Sequence, residues 1–155
     1  MKSSFFLLLL AVLLYSCSKD RFTTAPQITF RSVTPNAWPK GTFSSTQGPQ
    51  LSFQLRDAEG DFGFQDGKDT SYVYVKTYVN NIPRGDDSLK FPDLTGINRS
   101  KLNVDINVLL STLLITYSDL NVPQTDTFTF DIYVRDFANN KSNIVTTAPV
   151  YYYVP

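Results

Sequence analysis

The chain has 155 residues, 14 Lys plus Arg against 14 acidic side chains, and no histidine. Balanced charge leaves no electrostatic footprint for nucleic acid, and without histidine there is no Ser-His-Asp or Cys-His catalysis and no imidazole metal site. A single cysteine, Cys17, excludes an intrachain disulfide or a thiolate cluster.

Lys2 precedes an unbroken apolar run over residues 5–15. Its eleven residues are too few to span a bilayer, which takes about 20, but they suit the apolar region of a secretory signal peptide. The run ends in Leu14-Tyr15-Ser16-Cys17, which resembles the lipobox of bacterial lipoproteins. That resemblance implies cleavage of residues 1–16, a diacylglyceryl thioether on Cys17 and an acylated amino terminus. One acyl chain anchors only marginally, whereas two or three on one residue hold a protein at the membrane. Ser18-Lys19-Asp20-Arg21 resembles the short charged export signals of Bacteroidota lipoproteins. It implies the outer membrane, with the cell surface favoured over the periplasmic face.

Residues 17–26 read as the lipidated cysteine and a tether, and 27–155 as one domain. Gln27–Thr34 carries Ile28, Phe30 and Val33 in imperfect alternation. Residues 51–55 alternate cleanly, Tyr72–Val79 is rich in Tyr and Val, and 102–108 alternates again. Residues 127–135 place Phe128, Phe130, Ile132 and Val134 on one face, and 143–154 form a last, long stretch. β-Branched and aromatic residues at period two predict half-buried strands. Turns are predicted at Pro35-Asn36, Gln47-Gly48-Pro49, Asn80-Asn81, Gly85-Asp86-Asp87 and Asn139-Asn140. The wide spacing of the strands implies long loops or further short strands, such as one over 88–91. Residues 109–117 stay open between strand and helix: Ile106, Leu109, Leu110, Leu113, Leu114 and Tyr117 also match a helical stripe.

The expected fold is all-β, an antiparallel two-sheet sandwich of about seven strands, immunoglobulin-like in architecture. With no cysteine pair, a fibronectin- or cadherin-like variant is the nearer analogue. If the last strand is a sheet edge, it offers a place for a partner strand.

Two segments carry the polar chemistry. Leu55-Arg56-Asp57-Ala58-Glu59-Gly60-Asp61-Phe62-Gly63 and Val134-Arg135-Asp136-Phe137-Ala138-Asn139-Asn140-Lys141-Ser142-Asn143 each leave an alternating strand through an Asp and enter a turn. Both resemble signatures of Ig-like domains in Bacteroidota lipoproteins. In such a sandwich, 51–57 is strand B and 127–136 strand F, and the loops after them share one end. Asp57, Glu59, Asp61, Asp136, Asn139 and Asn140 are then candidates for one calcium site of oxygen ligands, with Asp66 and Asp69 as possible additions. The competing reading is turn capping by Asx side chains, with Arg56 and Arg135 pairing the two Asp residues. The spacing departs from an EF-hand: counting from Asp57, Phe62 and Lys68 stand where Gly and Glu are needed. Nothing separates two carboxylates into the unlike environments of a glycosidase.

Aromatic residues are plentiful, with one Trp, nine Tyr and twelve Phe. Tyr72, Tyr74 and Tyr78 share one strand face, and Trp38 is expected in a loop. These four are the candidate ligand or partner contacts, set against ordinary packing. The sequence therefore points to a non-enzymatic surface lipoprotein, membrane-bound through lipid, acting as an accessory or interaction module for an envelope protein partner. The alternative is a small glycan-binding lipoprotein, with Trp38 and exposed Tyr rings as stacking platforms and loop-bound calcium.

Overall fold

A computed structural model describes residues 23–42, 47–65, 69–117 and 124–155. The expected signal peptide, Cys17, most of the expected tether, Asp66 and Lys68 lie outside the described residues. The elements in chain order are β1 (Gln27–Thr34), β2 (Ala37–Pro39), β3 (Gln50–Asp57), β4 (Phe64–Gln65), β5 (Asp69–Thr70) and β6 (Tyr72–Val79). They continue with β7 (Ile82–Lys90), β8 (Leu102–Leu109), helix α1 (Ser111–Tyr117), β9 (Asp126–Val134), β10 (Val145–Thr146) and β11 (Val150–Tyr153).

The protein is an all-β sandwich. One sheet has the order β1-β3-β8, and the other has β2-β11-β9-β6-β7 with β10 also on β9. β4 and β5 form a small separate hairpin. The pairings are antiparallel except that of β11 with β2, which is parallel. The chain changes sheets between β1 and β2, at a cis Thr34–Pro35 bond.

Period two does the sorting. Leu51, Phe53 and Leu55 of β3 face inward with Ile106 and Val108 of β8, against Phe128, Phe130, Ile132 and Val134 of β9 and Val73, Val75 and Val79 of β6. All are at most 6% exposed, and each fully buried apolar side chain stabilises by about 1.5–3 kcal/mol. The imperfect alternation of β1 has a structural cause. Its register with β3 shifts between Phe30 and Ser32, a bulge that returns Val33 to the inner face opposite Leu51.

Several expectations change. Residues 143–154 are not one strand but two, β10 and β11, interrupted at Ala148-Pro149, where proline has no N–H to add to a ladder. Gly85-Asp86-Asp87 is not a turn. It lies within β7, which pairs with β6 from Val79 opposite Ile82 to Tyr72 opposite Lys90. The turn is at Asn80-Asn81, with φ of 53° and 65°, the left-handed pair that a tight hairpin needs and Asn tolerates. Residues 111–117 are helical, with Leu113 and Leu114 buried. β11 is not an edge, since β2 and β9 flank it. The outer strands of the larger sheet are the three-residue β2 and, on the other side, β7, whose Pro83, Arg84, Asp86, Asp87 and Lys90 disfavour pairing with another chain.

Candidate functional site

β3 and β9 lie in opposite sheets, and each continues its inward face by one polar residue. After Leu51, Phe53 and Leu55 the next inward position is Asp57; after Phe130, Ile132 and Val134 it is Asp136. Both carboxylates are thus carried into the same end of the sandwich and buried, at 1% and 5% exposure. The loop after β3 adds Asp61, and one carboxylate oxygen from each of the three lies within 4.8 Å of the others.

The loop geometry is specified by the backbone. Gly60 N–H donates to Asp57 Oδ2. Gly60 has φ of +67°, and a Cβ there would stand 1.8 Å from the Arg99 carbonyl oxygen, so this position admits only glycine. Asp61 ties the two loops together: its carbonyl accepts from Phe137 N–H at 3.0 Å and its Oδ2 from Ala138 N–H at 3.2 Å. Asp136 accepts from Asn140 twice, backbone N–H to Oδ1 at 2.7 Å and Nδ2 to Oδ2 at 2.8 Å.

Two oxygens remain without a donor, Asp57 Oδ1 and Asp61 Oδ1, both enclosed. Burial is the main cause that raises the Asp57 carboxyl above the ordinary carboxylate range, and the charges of Asp61 and Asp136 add to it. Asp61 is raised for the same reasons, burial first and Asp136 second.

The other candidate ligands are placed differently. Glu59 is exposed. Asn139 Oδ1 accepts from Arg135 Nη1 at 2.9 Å, and Asn140 supports Asp136 from behind. The expected pairing of Arg135 with Asp136 does not form. Alternation turns Arg135 outward, where its guanidinium lies 6.0 Å and 5.9 Å from the ring centres of Tyr74 and Tyr133. The ion pairs among the described residues are Arg31–Asp105 and Lys40–Asp126, both elsewhere. Of the two possible additions, the side chain of Asp69, like Asp66, is outside what is described.

The three tyrosine candidates lie on the outer face of the larger sheet. Tyr72 is 39% exposed. Tyr74 stacks on Tyr133, centroids 4.8 Å apart and planes 7° off parallel, and Lys141 Nζ sits 4.0 Å from the Tyr133 ring centre. Tyr78 donates its hydroxyl to Asp131 Oδ2 at 3.0 Å. Tyr74, Tyr78 and Tyr133 line a groove with Lys76, Asp131 and Lys141. Trp38 is in strand β2 rather than a loop. It is half-buried against the core, with Nε1 donating to the Thr42 carbonyl at 3.3 Å. Tyr133 and Lys141 were not singled out by sequence reasoning, although Tyr133 is on the outward positions of the alternating β9 segment.

Comparison with known protein families, with curated proteins and with solved structures finds no match to the chain.

Proposed function

We propose that the chain is a non-enzymatic lipoprotein of the outer membrane, held by lipid on Cys17, and that its immunoglobulin-like sandwich is an interaction module of a surface envelope complex. The observation that carries this reading is the position of the first strand. β1 starts at Gln27, so only a short tether separates the domain from the single cysteine that closes the apolar run. Two or three acyl chains there would be a permanent anchor.

The strand order supports the immunoglobulin-like part. Sheets β1-β3-β8 and β2-β11-β9-β6-β7 correspond to strands A, B and E against A′, G, F, C and C′, with the sheet change between β1 and β2. The register bears on how such an anchored domain would stand. Gln27 is opposite Arg56, so the tether enters at the end bearing Asp57. The Asn80-Asn81 turn and Lys40 belong to the opposite end, which an anchored domain presents away from the membrane. The glycan reading has less support. A sugar platform needs free ring faces, whereas Tyr74 and Tyr133 cover one another, Lys141 covers Tyr133, and Trp38 packs on the core.

The test is labelling and cross-linking in cells. Wild type is expected to take up labelled palmitate, to fractionate with the outer membrane and to cross-link to one partner at near-stoichiometric yield. Cys17→Ala is expected to lose the label and the membrane association. Unlabelled, freely soluble wild type would sink the anchored reading. Labelled protein without a partner would sink the interaction module.

A further inference from the structure

We infer that Asp57, Asp61 and Asp136 form a calcium site at the end of the sandwich where the chain enters from its N-terminal tether. Carboxylate oxygens of the three converge within 4.8 Å. A second, separate observation says that something is missing among them. Asp57 is 1% exposed, yet its Oδ1 accepts no hydrogen bond, and Asp61 Oδ1 is enclosed and unpartnered as well. Enclosed polar atoms in native proteins are satisfied by a donor, a water or an ion. The described cations do not fill the role: the two ion pairs are elsewhere, and Arg135 is committed to Asn139 and to the tyrosine rings.

The remaining oxygens are already held in position. Asp61 Oδ2 is fixed by Ala138 N–H and Asp57 Oδ2 by Gly60 N–H, so each carboxylate is oriented with its free oxygen left over. Asp136 is braced on both oxygens by Asn140, and each oxygen keeps a second lone pair for a cation. Such support behind the ligands is what orients a metal site. The donor set selects the ion. It is all hard oxygen, in a chain without histidine, which excludes the metals that favour imidazole or thiolate. Magnesium keeps most of its waters and is held by one or two carboxylates, whereas calcium takes six to eight oxygens in an adaptable shell. Three converging carboxylates, completed by carbonyls and water, fit calcium.

The location gives the ion a role. Gln27 pairs with Arg56, next to Asp57, and Asn143, which ends the loop begun by Asp136, holds both main-chain groups of Ile28. A cation joining 57–61 to 136 therefore braces the loop that clasps the first strand. This goes beyond the proposed function and does not depend on lipid at Cys17.

The experiment uses full-length protein in detergent, depleted with EGTA, then titrated calorimetrically with calcium chloride or magnesium chloride and melted in each. Expected are one calcium per chain, a higher melting temperature in calcium than in chelator, and binding of magnesium weaker by roughly tenfold or more. Asp61→Asn, at a half-exposed position, is expected to abolish the calcium heat and the melting shift, while Glu59→Gln keeps both. Wild type that shows no heat and melts identically in calcium and chelator would overturn the site, and so would an Asp61→Asn variant that binds like wild type.

Discussion

The side-chain amide of Asn143 holds both main-chain groups of Ile28, accepting its N–H on Oδ1 at 2.8 Å and donating Nδ2 to its carbonyl at 2.9 Å. One side chain thus does what a neighbouring strand would do for the edge of β1, across 115 residues of sequence. It joins the edge of the smaller sheet to the loop that leads into β10.

Asn143→Ala is expected to lower stability by about 1–3 kcal/mol, because two main-chain groups lose their partners together. Asn143→Asp keeps an acceptor for the Ile28 N–H and loses the donor, so it should also destabilise. Urea unfolding with an unchanged m-value checks both. A loss below a few tenths of a kcal/mol would mean that water replaces the clasp.

Lys40 Nζ and Asp126 Oδ2 form an ion pair at 2.7 Å with side chains 4% and 5% exposed. Asn80 Nδ2 adds a hydrogen bond to Asp126 Oδ1 at 3.1 Å. Removing one partner leaves a buried charge, so Lys40→Met is expected to cost about 3–5 kcal/mol. Lys40→Met combined with Asp126→Leu should recover much of that, since two apolar groups need no compensation. Equal losses in the single and double variants would refute the coupling.

Gly60→Ala combines a left-handed φ of +67° with a Cβ only 1.8 Å from the Arg99 carbonyl. The backbone conformation alone costs about 1–2 kcal/mol, and the overlap about 1–3 kcal/mol more. Thermal unfolding is the measurement. At Gly41, which has φ of +78° but open space around it, alanine should cost the conformational part only.

The Tyr117 hydroxyl donates to Asp87 Oδ2, and that bond, with burial and the Asp87 and Asp86 charges behind it, pushes the phenol up to about 12. The folded value lies above the unfolded one, about 10. Stability from this bond is therefore complete below pH about 10 and is lost as pH rises through about 12. Ultraviolet titration of tyrosinate should show a late-ionising tyrosine that disappears in Tyr117→Phe. Asp87→Asn should bring it back towards about 10. A titration unchanged by either substitution would show that the bond does not form.

Much of the sandwich is legible as period two. Leu51, Phe53 and Leu55 and the series from Phe128 to Val134 announce their own faces, because a pleated strand sends alternate side chains to opposite sides. The same alternation, carried one step further, shows why Asp57 and Asp136 are inward, and it extends β9 backwards to the buried Asp126. β7 was not legible. An edge strand has one unpaired side and little buried surface, so Ile82–Lys90 carries the glycine, proline and charge that otherwise signal a turn. Gly85 is there for another reason: a Cβ would stand 2.2 Å from the Tyr117 hydroxyl, a contact made by a helix remote in sequence.

By itself the sequence determined the all-β class and the inward faces of β3 and β9, which follow from local periodicity, while the two Asp-bearing loops are paired as a candidate site only through the resemblance to an immunoglobulin-type strand order. Only the tertiary structure decided which oxygens meet. Asp57, Asp61 and Asp136 converge, while Glu59 points to water and Asn139 turns to Arg135. That selection depends on how two sheets pack and on which main-chain donors reach each carboxylate, distances that no spacing along one strand encodes.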